Sequence, residues 1–138
     1  MPDQSHIGRR YEAPGQTIER ERSRAFAAAI SGSDAVRFPG QVPPTYAAVY
    51  CLMPTYAQLF TDAEVGVNLA GLIHGEQSFE WPEPVREGDV VDASAEIANV
   101  EDKRGMTFLT LAVEATRPSD GAVVCRGRGT LIIRGAAA

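Results

Sequence analysis

Three side chains in this sequence could move protons in a recognisable local pattern: His74, Glu76 and Asp34. His74 is the sole histidine outside the first ten residues and stands in the run LIHGEQSFEW, Leu72 to Trp81. An imidazole can exchange a proton near neutral pH, so it is a candidate general base. It can equally donate to a backbone carbonyl and lock a strand against a helix. Side chains alternate along a strand, so Glu76 is expected on the same face as His74, giving a candidate histidine–carboxylate pair. Asp34 follows Gly32-Ser33 and is either an acid/base group or a turn residue. Gly75 and Gln77 complete the segment as candidate substrate-binding positions. Tyr46 follows Pro43-Pro44. A helix starting there would offer backbone amides to a developing oxyanion, and the Tyr46 hydroxyl either faces a ligand or packs. Tyr50 and Tyr56 read as core or interface residues. Arg126 and Arg128 share one strand face, either gripping a phosphate-bearing ligand or lying in solvent.

The bulk properties exclude several classes. The chain has 138 residues, enough for one ordinary domain. A net charge of −5 argues against nucleic acid, whose binding needs a basic face. No apolar run reaches the roughly 20 residues that cross a bilayer. The N-terminus, MPDQSHIGRR, has no apolar core of a signal peptide, so a cytoplasmic protein is expected. Cys51 and Cys125 stand in apolar contexts and read as buried free thiols. Two cysteines without ligand spacing, and two histidines, predict no metal site.

Residues 1–10 read as a flexible tail and 11–135 as a single domain. Tyr11 to Thr17 suits a short edge strand. Ala and Arg favour a helix from Ile18 to Ser31, with Thr17 as N-cap and Gly32 as the stop. Residues 34–42 form a loop around Pro39-Gly40. Thr45 to Phe60 is apolar on nearly every side, as a buried helix is, and Pro54 should kink or break it. Beyond Asn68 the period becomes two. Val91, Ala93, Ala95 and Ile97 alternate with polar residues, as do Leu109, Leu111 and Val113, and then Cys125, Gly127, Gly129, Leu131 and Ile133. Lys103-Arg104-Gly105 and Ser119-Asp120-Gly121 are turn chemistry, so an antiparallel meander follows.

Short strand, helix, buried helix and four long strands make an α+β fold in which one curved antiparallel sheet wraps a central hydrophobic helix. This is the hot-dog architecture. Gly127 and Gly129 would lack side chains where the sheet presses on the helix. An apolar slot beside His74 and Asp34 is expected. An open sheet edge calls for a second copy or a homologue.

In that order the sequence resembles the MaoC-like dehydratases, in particular their FAS1-like dehydratase N-terminal-domain branch. The resemblance runs from about Ile7 to Arg134. It is carried by IGRRYEAPG, FAAAISGSD, VPPTY, LIHGEQSFEW with PVREGDVV, and GTLIIR, taken jointly and in this spacing. The resemblance implies (R)-specific hydration of 2-enoyl thioesters, or dehydration of 3-hydroxyacyl chains, carried on CoA or acyl carrier protein. It implies no cofactor, because this elimination needs only acid–base groups and an oxyanion site. On this reading Arg126 and Arg128 would meet the CoA phosphates. Active relatives use an Asp-His pair in a motif resembling Gly-Asp-x-Asn-Pro-x-His. Here only Asp34 matches, and Pro39 occupies the histidine position. That departure resembles the substrate-holding partner in a heterodimeric dehydratase, so a homodimer or a heterodimer with a second hot-dog chain is implied. The residues also admit a scaffold subunit without chemistry, a hot-dog thioesterase, or a tailoring enzyme acting on carrier-bound intermediates.

Overall fold

The computed structural model describes residues 1–32 and 41–135. The period-two segments become strands: β1, Arg10–Thr17; β2, Leu72–Glu80; β3, Val90–Lys103; β4, Met106–Arg117; and β5, Ala122–Arg134. They form one antiparallel sheet in the order β1-β3-β4-β5-β2. The meander covers β3, β4 and β5. Strand β2 leaves it and returns to pair with β5, while β1 pairs with β3. The β3–β4 hairpin turns on Arg104 and Gly105, both at positive φ (53° and 76°), which suits the right-handed twist of the flanking strands.

In helix α1, Arg20–Ser31, the N-cap position is held by Glu19 rather than Thr17, without a side-chain capping hydrogen bond. Thr17 is instead committed to β1, opposite Val90. Gly32 ends the helix in the left-handed region (φ 68°), as the sequence predicts. Gly32→Ala is expected to lower stability by about 1 kcal/mol, read as a shift in the denaturation midpoint.

The central segment is one continuous coil of three geometries. A 3-10 turn, Pro44–Tyr46, leads into a π-helical stretch, Ala48–Leu52, and then α2, Met53–Thr61. Pro54 explains the middle part: it lacks a donor, and its ring crowds the preceding turn, so the coil widens before it. The segment packs on β1, β3 and β4 through Cys51, Thr55 and Leu59, each fully buried. Met53, Ala57 and Gln58 on its far side are exposed. One helix against one face of a curved antiparallel sheet is the hot-dog fold, with the helix covered on the sheet side.

Where the sequence predicts a flexible tail, residues 4–6 form a 3-10 turn capped by Asp3. Gly8 donates to Ile97 O at 2.8 Å, and Ile97 donates to Arg9 O at 2.9 Å. Both cysteines are buried free thiols. Among the described residues no helix is long and apolar enough to cross a membrane, and no cluster suits a metal ion.

Candidate functional site

Strand β2 lies at a sheet edge, and its register decides what His74 can meet. His74 pairs with Leu131, but Glu76 pairs with Thr130. Cross-strand partners share a face. Leu131 is buried against the helix side, whereas Thr130 belongs to the outer face. Gly75 is the unpaired residue between them, a β-bulge. The bulge resets the alternation, so His74 and Glu76 lie on opposite faces and the expected pair does not form. A Cβ at Gly75 would press on the side chain of Ile132 at 2.7 Å, so this glycine serves strand packing.

The same reset brings Gln77 onto the His74 face. His74 Nε2 lies 3.1 Å from Gln77 Oε1. From α2, Tyr56 reaches down and donates its hydroxyl to the same oxygen at 3.4 Å. The Tyr56 and His74 rings stand 5.9 Å apart, tilted by 48°. Gln77 Nε2 donates to Ser78 O at 3.0 Å. Burial, with the Cys51 thiol second, holds the Tyr56 phenol well above its ordinary pKa, so it stays a donor. Gly129 faces this trio; a Cβ there would collide with Gln77 Oε1 and Tyr56 Oη. His74 is solvent-exposed while Tyr56 is 5% exposed, so the trio forms a polar notch between sheet edge and helix. Tyr56 was not among the sequence candidates. The glycine in β5 opposite an apolar helix is the signal that could have found it.

The other described candidates lie apart from this notch. Asp34 lies outside the described residues. Tyr46 is 1% exposed; its ring packs edge-on against Phe26 at 5.3 Å and near Tyr50 at 6.2 Å, and burial raises its pKa. Its backbone N–H donates to Pro43 O at 2.9 Å, and that of Ala47 donates to Pro44 O. The Tyr46 and Ala47 amides are thus engaged within the 3-10 turn. Arg126 pairs with Glu80 and Glu114, and Arg128 with Ser78 and Ala112. Both arginines therefore sit on the outer face, in a trough shared with Arg10 and Glu96, across the sheet from His74. An apolar slot of about 150 Å³ lies between Val42, Pro44, Tyr50, Trp81, Pro84 and Val85, not beside His74. That volume admits a group of roughly benzene size. Trp81 is seven residues beyond His74, about 20 Å along an extended chain.

Comparison with known proteins places this geometry. A curated relative, a UPF0336 protein of Saccharopolyspora erythraea, is 31% identical, over 99% of this chain and 95% of that protein. In structure the chain is similar to the HadBC (3R)-hydroxyacyl-ACP dehydratase complex of Mycobacterium tuberculosis, with TM-score 0.68 and 25% identity, covering 92% of this chain and 96% of that one. The (R)-hydratase of A. caviae shares the fold, with TM-score 0.62 and 20% identity, covering 97% of this chain and all of the other (100%). The model of the FAS1-like dehydratase domain region matches residues 5–126, and the chain belongs to that family of hot-dog, MaoC-like dehydratases.

Proposed function

We propose that this chain is the substrate-holding subunit of an (R)-specific enoyl-thioester hydratase/3-hydroxyacyl-thioester dehydratase, acting on acyl-CoA or acyl carrier protein. One observation carries this reading: among the described residues His74 is held by Gln77, with the Tyr56 ring beside it, and has no carboxylate next to it on its face. The rows of the sheet that it joins are filled by Leu131, Leu109 and Val100. The reversible loss of water needs one group to take a proton and another to give one. Among the described residues the notch supplies a histidine, an amide and a phenol, which bind and orient better than they exchange two protons. A second hot-dog chain would bring the complete Asp-His pair. Among the described residues no strand pairs with the outer edge of β2, and exposed Ile73 and Trp81 stand beside it. A ligand touching both the notch and the Trp81 slot must extend over about 20 Å, as a long acyl chain does.

The test is 2-enoyl-CoA hydration, followed by loss of the enoyl absorbance. The chain alone is expected to turn over little. Mixing it with a hot-dog chain encoded beside it, one with an intact Gly-Asp-x-Asn-Pro-x-His motif, should restore hydration and yield a mixed dimer by light scattering. Full activity of the chain alone, or an inactive mixed dimer, would refute the assignment.

A further inference from the structure

Gln77 determines which nitrogen of His74 carries the proton. An amide's oxygen and nitrogen are told apart by their partners. One end of the Gln77 amide lies 3.0 Å from Ser78 O, a carbonyl that can only accept, so that end is the NH2 group. The other end is therefore the carbonyl oxygen, which has no proton to give. His74 Nε2 stands 3.1 Å from it and must be the donor, beside the Tyr56 hydroxyl, which donates to the same oxygen. In the neutral ring this leaves Nδ1 as an unprotonated lone pair. No described residue engages it, and the residue is exposed. The arrangement is built rather than incidental. Gly129 leaves the room for Gln77 and Tyr56 to meet, and the bulge at Gly75 turns Gln77 onto the His74 face.

We propose that His74, held by Gln77 as the Nε2-protonated tautomer, presents Nδ1 to accept a hydrogen bond from a hydroxyl group of the bound ligand. This rests on the thioester reading above, in which that hydroxyl is the 3-hydroxyl of a hydroxyacyl chain. Gln77 is the positioning residue, and Tyr56 keeps the amide oxygen turned toward the ring. The chain thereby prefers the hydrated ligand over its unoxygenated counterpart, by about tenfold, the size of one hydrogen bond to a neutral acceptor.

Two measurements on the full chain test this. In the first, imidazole 15N spectra above the histidine titration range should show His74 with Nδ1 unprotonated and Nε2 protonated. Gln77→Leu should mix the two tautomers. In the second, calorimetry compares (R)-3-hydroxyhexanoyl-CoA with hexanoyl-CoA. The hydroxy ligand should bind about tenfold tighter, and His74→Ala and His74→Phe should each bring that ratio near one. The ratio is the readout, so a general loss of affinity cancels. A protonated Nδ1 overturns the inference whatever binds. Equal affinities in the unmodified chain overturn it while leaving the thioester reading intact. Failure of both thioesters to bind brings down the thioester reading and this inference with it.

Discussion

Gly127→Ala is expected to destabilise the protein by about 3 kcal/mol, although it adds a single methyl group. Gly127 pairs with Phe79 on β2 and with Val113 on β4. A Cβ at this position would run into the backbone carbonyl of Ser78, with the Phe79 ring also close, at 3.2 Å. A backbone oxygen in a paired strand cannot swing aside as a side chain can. Strand β2 must then peel from β5 or shift as a unit, and the His74 notch goes with it. Gly129→Ala is the internal control: its Cβ would meet two side-chain atoms, Gln77 Oε1 and Tyr56 Oη, and Gln77 can rotate away. Gly129→Ala should cost less stability while still releasing His74 from Gln77. Urea denaturation of both variants, with amide exchange along β2, decides the matter. A Gly127→Ala protein as stable as the parent, with β2 amides still protected, would show that the strand has slack this geometry denies.

The glycines also show what the sequence can disclose. Alternation in the C-terminal half and the turn residues between its segments are local signals, and they account for β3, β4 and β5 and for Gly32 at the end of α1. Gly129 does face the helix, as its place in an apolar row suggests. Gly127 answers to the neighbouring strand, a contact between residues about fifty apart that no local pattern records. The same limit governs the site. Period two places Glu76 with His74, but one bulge at Gly75 reverses every later residue of β2 and substitutes Gln77. A bulge is visible only in the register with β5. Tyr56 reads from the sequence as one more apolar-helix residue, and its hydroxyl gains meaning when α2 is laid over Gly129. The widening before Pro54 was half legible: proline announces a break, and the packing of the coil on the sheet turns the break into a π-helical stretch.

Asp62→Ala should weaken the fold by roughly 2 kcal/mol, and its signature is pH dependence. Asp62 caps the C-terminal end of α2, and its side chain is 10% exposed. Arg9 reaches it with two hydrogen bonds, 2.6 Å and 3.0 Å, and Tyr11 donates its hydroxyl at 2.8 Å. Arg9 also meets Glu64 at 2.7 Å. These contacts pin the first strand and the segment before it to the end of the central helix. They leave no local trace, since the partners are 53 and 51 residues apart. Burial alone would raise the Asp62 carboxyl, but Arg9 and Tyr11 outweigh it and hold it below the ordinary 3.8. On the phenol the effect is opposite: burial, then the Asp62 carboxylate, push Tyr11 to about 12. A carboxyl with a depressed folded-state pKa binds its proton more readily in the unfolded chain. Its contribution is therefore complete above about pH 4 and fades as pH falls through the folded value. Denaturation at pH 7 should separate parent and Asp62→Ala by the full amount, and the gap should narrow below pH 4. If Arg9 supplies the field, Arg9→Gln should raise the Asp62 carboxyl, seen directly by 13C titration. A gap that stays constant through the acid range would mean that Asp62 acts by packing, and that its charge holds nothing in place.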